Sequence, residues 1–271
     1  MVFNESERVA ALTPSNPYDR LPDGRPNVPD ALLERMKLVS PEEVWHVLER
    51  RHGFRFQFEG NWFNLHPDRV VVGRAVTAAF MPHRPDLDEA VTGWGEAKGW
   101  GPRQNTWIID NLRAGDVVVV DLFGKVRNGT FAGDNLATAI KTRTGTGMVI
   151  DGAIRDMDQI RELDDFNAFV RGVDPTPIGD VTLVGVNIPI RIGSATVLPG
   201  DVVLGTRAGV TFIPPHLAEE IAEYSELTRL RDEFGKLRLS EGVYSSGQID
   251  TQTWEPEIDA DFARWRAARS G

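Results

Sequence analysis

"GDVVVVDLFGKVRNGTFAGDNLATAIKTRTGTGMVID", residues 115–151, decides the fold. Its first ten residues, "GDVVVVDLFG" (115–124), hold a continuous apolar run, the pattern of a strand covered on both faces. "KVRNGTFAGDN" follows as a glycine-bearing loop. "NLATAIKTRT" (135–144) reads as a helix with Asp134 as its N-cap. "GTGMVID" (145–151) is the next buried strand. Strand, helix and strand make a βαβ unit, expected to be parallel and right-handed. Ligand sites of such sheets lie where the parallel strands end. "TGTGM" precedes a strand rather than a helix, so it is a tight turn and not a dinucleotide loop.

Upstream, "SPEEVWHVLERR" (40–51) predicts a helix capped by Ser40, with Pro41 at its first position and Glu43 completing a capping box. "FRFQFEG" alternates Phe54, Phe56 and Phe58 and predicts a half-buried strand. "RVVVGRAVTAAFMP" (69–82) predicts another strand with a bulge at Gly73. "WGEAKGWGPRQNTWIIDNL" (94–112) is ambiguous and is assigned one helix. Beyond residue 180, "DVTLVGV", "IPIRIGSATVLPGD" and "VVLGTRAGVTFIPP" are strands separated by turns, Pro199-Gly200 among them. A long amphipathic helix follows, with Leu217, Ile221, Tyr224, Leu227, Leu230 and Phe234 on one stripe. A last helix carries Ile258, Phe262 and Trp265. The expected organisation is an N-terminal arm (1–39), one α/β domain (40–235) and a C-terminal extension (236–271) that docks on the core or on a neighbouring subunit.

Composition narrows the function. The 271 residues include no cysteine, which removes disulfides, thiolate nucleophiles and cysteine-based metal sites. Net charge is −10, and no Lys/Arg-rich run supplies the basic field that nucleic acid requires. There is no apolar leader and no stretch near ~18 unbroken apolar residues, so a soluble, cytoplasmic protein without a membrane partner is expected. The five histidines are scattered, with no pair at metal-ligand spacing; His83 is the one placed to line a pocket mouth. Lys125 is the weak candidate for a Schiff-base lysine, and Lys141 and Arg143 read as solvated helix residues.

Two loops carry chemistry. "AGDNLA" (132–137) opens a helix, where free N–H groups and the helix dipole favour a carboxylate or phosphate. "DGAIRD" (151–156) offers a guanidinium for bidentate anion binding and a carboxylate for a hard cation. In the βαβ reading both loops share one sheet edge.

Asp134 followed after twenty residues by Arg155-Asp156 resembles the RraA-like family, which includes the 4-hydroxy-4-methyl-2-oxoglutarate/4-carboxy-4-hydroxy-2-oxoadipate aldolases. "VVVGRAVTA" and "LPGDVV…AGVTFIPP" look like the family's flanking blocks, and the resemblance spans roughly residues 68–235. It implies an α-β-β-α sandwich around a mixed, swivelling-type sheet, here with N- and C-terminal extensions. It also implies homotrimers or homohexamers with sites between subunits. The implied activity is that of a class II, metal-dependent pyruvate aldolase that also decarboxylates oxaloacetate. Carried onto this chain, Gly133, Asp134, Asn135 and Leu136 bind the 2-keto acid through the helix start. Arg155 binds the substrate and, with Asp134, is the catalytic candidate. Asp156 holds Mg²⁺ or Mn²⁺, and Glu233, from an adjacent subunit, is the candidate second metal ligand. "GTRAGVTFIP" lacks the acidic residues the family commonly has before this segment, and the two ends are longer than the minimal family core. Two other functions stay open: a protein-binding regulator of an RNA-degrading enzyme, and a dehydratase or hydrolase on a sugar acid using the same metal site.

Overall fold

The computed structural model describes residues 2–269. Eleven strands are present among them: β1 (Phe58–Glu59), β2 (Phe63–Asn64), β3 (Val71–Pro82), β4 (Asp116–Ala132), β5 (Met148–Ile154), β6 (Ala168–Val173), β7 (Val181–Val186), β8 (Ile190–Ile192), β9 (Ala195–Val197), β10 (Val202–Gly205) and β11 (Val210–Ile213). Nine form one mixed sheet in the order β1-β11-β10-β3-β4-β5-β6-β2, with β7 added to the end of β3. β3, β4, β5 and β6 run parallel, and the flanking strands run antiparallel. The parallel centre is what the βαβ reading predicts, and the mixed α/β architecture is the one the family resemblance implies.

The α-helices are α1 (Ser6–Ala11), α2 (Asp30–Met36), α3 (Pro41–Trp45), α4 (Pro85–Ala97), α5 (Gln104–Asp110), α6 (Asp134–Thr144), α7 (Met157–Arg161), α8 (Ala218–Ser240), α9 (Ser246–Ile249) and α10 (Pro256–Arg269). Val118, Val120, Met148 and Ile150 of the sheet pack against Val91 of α4, Trp107 and Ile108 of α5, Ala137 and Ile140 of α6 and Ile160 of α7. Val72, Val202 and Leu204 pack against α2, α3 and α8. Alternation along the strands turns Val71, Val117, Val119 and Val149 the other way, onto the two-stranded β8–β9 hairpin. The central strands are thus buried on both faces, which explains their unbroken valine runs.

Several local expectations change. The capping box of Ser40 and Glu43 forms, but the helix it starts passes into a π-helical stretch at His46–Arg51. Of "FRFQFEG" only Phe58–Glu59 is strand, because Phe56 takes a left-handed conformation (φ 59°) that extended pairing does not allow. Gly73 is not a bulge; the register shift in β3 falls between Ala79 and Phe80. A Cβ at Gly73 would lie 2.6 Å from the Gly115 carbonyl oxygen, so glycine is needed for the close approach of β4. Residues 94–112 contain two helical segments, the end of α4 and α5. Residues 125–132 of the expected loop 125–135 belong to β4, whose register against β5 shifts after Asp121 so that Lys125, Thr130 and Ala132 lie opposite Gly152, Ala153 and Ile154. On α8, Leu227 is exposed, while Ile221 and Phe234 are buried.

Both ends of the chain are packed. Arg25 is fully buried and grips Asp116 with two hydrogen bonds, of 2.8 and 3.1 Å. Ile258, Phe262 and Trp265 of α10 gather with Trp254 around Phe234, on the far half of α8.

Candidate active site at the ends of β4 and β5

Ala132 and Ile154 are register partners at the ends of parallel β4 and β5, so the residues after them leave the sheet side by side. The Arg155 N–H donates to the Ala132 carbonyl at 3.1 Å and ties the two loops together. This joins Gly133–Leu136 to Arg155–Asp156, with twenty residues between Asp134 and Arg155.

The helix start differs from the sequence expectation. Gly133, not Asp134, is the N-cap, and Asp134 is the first helical residue. The Asp134 carboxylate accepts the Asn135 N–H at 2.8 Å. The Asp134 N–H in turn donates to Oδ2 of Asp156 at 3.3 Å. Asp156 therefore does from a neighbouring loop what a capping side chain does from within the chain, with the helix dipole favouring its charge. The Leu136 N–H has no acceptor among the described residues, while its side chain packs on the core. Asn135 is exposed.

Asp156 adopts φ 55°, a left-handed conformation that aspartate tolerates better than most residues. It is the N-cap residue of α7, its carbonyl accepting the Ile160 N–H at 3.0 Å, but its side chain makes no capping bond there. Its carboxylate instead points back to α6, 3.4 Å from Nε of Arg155. Oδ1 makes no hydrogen bond among the described residues. The two side chains are 40% and 37% exposed, open enough to receive a ligand and too open to act as a core ion pair. A Cβ at 133 would lie 2.3 Å from Oδ2 of Asp156 and 2.9 Å from Nε of Arg155, so glycine lets these two side chains come up to the start of α6 and a larger residue would displace them.

Glu233 is not brought to this cluster within the chain. It sits on α8 and pairs with Arg269 of α10. Lys141 donates to the Asp164 carbonyl and Arg143 pairs with Asp110, so both are surface helix residues. His83 lines a 300 Å³ hollow with Asp88 and Asp180.

Sequence reasoning missed a second charged cluster. Arg171 on β6 donates to Asp151 at 2.6 Å and to Glu59 at 3.2 Å, and its guanidinium lies 3.8 Å from the centre of the Trp62 ring. Burial raises the Asp121 pKa, and neighbouring Asp151 raises it further. These residues come from positions 59 to 171, so no local spacing could signal them. Asp151, the charge that ends an apolar run, belongs to this cluster and not to the open one.

The family model for RraA-like proteins, described as Aldolase/RraA, matches residues 27–212. The chain belongs to the RraA-like family. A putative 4-hydroxy-4-methyl-2-oxoglutarate aldolase of Halalkalibacterium halodurans is 33% identical over 129 residues, covering 48% of this chain and 60% of that protein. A 4-hydroxy-4-methyl-2-oxoglutarate aldolase of Thermus thermophilus is 27% identical over 107 residues, 40% of this chain and 64% of the relative. The matched part thus spans less than two thirds of either relative. Among solved structures, a Streptomyces coelicolor protein described as an unusual member of the RNase ES inhibitor RraA protein family superposes with a TM-score of 0.66 at 26% identity. That match covers 82% of this chain and 100% of the other. The family match begins inside the expected arm, at residue 27, just after Arg25 and its core ion pair. No helix among the described residues is long and apolar enough to cross a membrane.

Proposed function

We propose that this RraA-like protein is a divalent-metal-dependent lyase that cleaves a 2-keto acid by aldol cleavage or β-decarboxylation. The observation that carries the reading is the meeting of Arg155, Asp156 and the start of α6 in one open cluster. The aldolase names of its relatives support it.

Asp156 offers a hard oxygen donor with Oδ1 free, and no group of three or more acidic or histidine side chains suited to a metal occurs among the described residues. A single carboxylate suits an ion that keeps most of its water, as Mg²⁺ does, and Mn²⁺ fits the same donor. When bound, the ion supplies Lewis-acid stabilisation of the negative charge that cleavage leaves on the keto oxygen, an effect of several kcal/mol. Arg155 places a fixed positive charge beside the same substrate oxygens. The Leu136 N–H and the α6 dipole receive the substrate carboxylate. Asp134 shapes this anion site through its bond to the Asn135 N–H. As the bond between C3 and C4 breaks, its electron pair becomes the enolate of pyruvate; the other fragment leaves as CO₂ from a carboxylate, or as a carbonyl compound whose 4-hydroxyl gives its proton to water, and a proton from water added at C3 gives pyruvate. Glu233 of a second copy completes the site in a trimer or hexamer, once freed from Arg269.

Pyruvate release from oxaloacetate and from 4-hydroxy-2-oxo acids, with Mg²⁺, Mn²⁺ or excess EDTA, tests the reading. Metal-dependent release is expected, and full turnover in chelator would overturn the metal role. The Streptomyces coelicolor likeness favours a second reading, a regulator of an RNA-degrading enzyme. That reading is upheld instead by inhibition of such an enzyme without any lyase activity.

A further inference from the structure

The turn before β4 and the turn before β10 are the same device built twice. "RAGD" (113–116) and "LPGD" (198–201) each place a glycine at positive φ, 77° at Gly115 and 88° at Gly200. In each, the aspartate Oδ2 accepts the N–H three residues back at 2.8 Å, from Arg113 in one and Leu198 in the other. Both lead into strands that flank β3.

They differ in what meets the rest of the carboxylate. Asp116 receives both terminal nitrogens of Arg25. Asp201 is just as deeply placed, 2% exposed, yet no cation pairs with it among the described residues and its Oδ1 has no hydrogen-bond partner. In place of an arginine, Asp201 borders a 320 Å³ hollow whose walls include Leu12, Pro14, Phe54, Leu198, Pro214 and His216. A buried aspartate bordering a mainly apolar hollow of this size matches the usual plan of a small-molecule site, apolar walls with a few placed polar groups.

We propose that this hollow is a binding site for a small organic cation, one with a flat amidinium or guanidinium head and an apolar body. The Arg25–Asp116 pair shows the head-group geometry this turn accepts: two parallel N–H donors on one carboxylate. The apolar body takes the place of water against Phe54, Leu12 and the prolines. The site draws on the arm, the segment after α3 and the β9–β10 turn, and includes none of Gly133, Asp134, Arg155 or Asp156.

The site also has a titration signature. Burial raises the Asp201 pKa to about 8. A cation stabilises the ionised carboxylate, so binding at pH 7 expels a proton and tightens as pH rises from 6 to 9. His216, the other titratable group on the walls, is held below the ordinary histidine value by burial and then by His52.

Titration calorimetry of the full chain with benzamidine, in buffers of different ionisation enthalpy, tests the proposal. Saturable binding with proton release is expected, with neutral benzamide failing to compete. Asp201→Asn keeps an acceptor for the Leu198 N–H and should weaken binding by about tenfold or more. Ser15→Trp, an exposed position at the rim, should block the hollow without touching Asp201. Absence of binding at millimolar benzamidine would overturn the proposal, as would binding that ignores both pH and Ser15→Trp. If Asp201→Asn does not fold, the pH series and Ser15→Trp still decide. The outcome is independent of lyase activity.

Discussion

Arg25–Asp116 and Arg155–Asp156 use the same two residue types at opposite ends of the β4–β5 pair. The first is completely buried and doubly hydrogen-bonded. The second is open, and its single contact of 3.4 Å is long. A buried ion pair is strongly coupled to stability, because removing one partner strands a charge in a low-dielectric interior. An exposed pair contributes little to stability, which leaves it free for chemistry. Burial, not residue identity, separates the two pairs.

The comparison breaks most readily at Arg25. Arg25→Ala should cost about 3–5 kcal/mol, read as a lowered urea midpoint, since it leaves Asp116 buried and unpaired. A cost below about 1 kcal/mol would mean that water or rearrangement rescues Asp116 and that the contrast is false.

Arg155→Ala should do the reverse. Pyruvate release should fall roughly 10²-fold, the typical loss for one preorganised charge-stabilising donor, while the melting temperature barely moves. Arg155→Lys should recover little, because a point charge does not reproduce the guanidinium fork. Asp156→Ala should additionally abolish Mn²⁺ binding. Wild-type kinetics in Arg155→Ala would reduce this pair to surface solvation.

Gly133→Ala sharpens the contrast by moving the open pair without removing it. The added methyl group would lie within 2.3 Å of the Asp156 carboxylate, which must then shift. About a 10- to 100-fold fall in turnover is expected with unchanged folding, as for other misplacements on the 1 Å scale. A variant with intact kinetics would show that the close fit at the start of α6 is not needed.

The last comparison concerns Asp201, the unpaired counterpart of Asp116, and is read as a slope with pH. Its folded pKa, about 8, lies above the unfolded carboxylate value. Between about pH 4 and pH 8 the folded chain keeps a proton that the unfolded chain has lost. Stability from this group is therefore full at low pH, declines through that window and levels off above it. The slope it contributes is at most about 1.4 kcal/mol per pH unit. Asp201→Asn should flatten the pH profile of the urea midpoint over that window; identical profiles would mean the carboxyl is already compensated.

Much of the site was legible because its parts lie in two short loops that a βαβ unit must bring to one edge. The valine runs announced the central strands, and the spacing of Asp134 and Arg155-Asp156 announced the pairing. The N-cap was misassigned, since Gly133 and Asp134 both suit a helix start and only the position of Asp156 decides between them. The Arg171 cluster was invisible because its members share a place in space and nothing in sequence.

Alternation, apolar runs and turn residues by themselves determined the parallel core, its connecting helix and the sheet edge where the two candidate loops meet, because these follow from backbone geometry within a few tens of residues. Only the tertiary structure decided which charges work as core ties and which remain open. Arg25, ninety-one residues from Asp116, was expected in a loose arm and is instead locked into the core. The same aspartate turn is satisfied at 116 and left facing a hollow at 201. Desolvation sets that difference, and it depends on everything packed around a side chain and not on its neighbours along the chain.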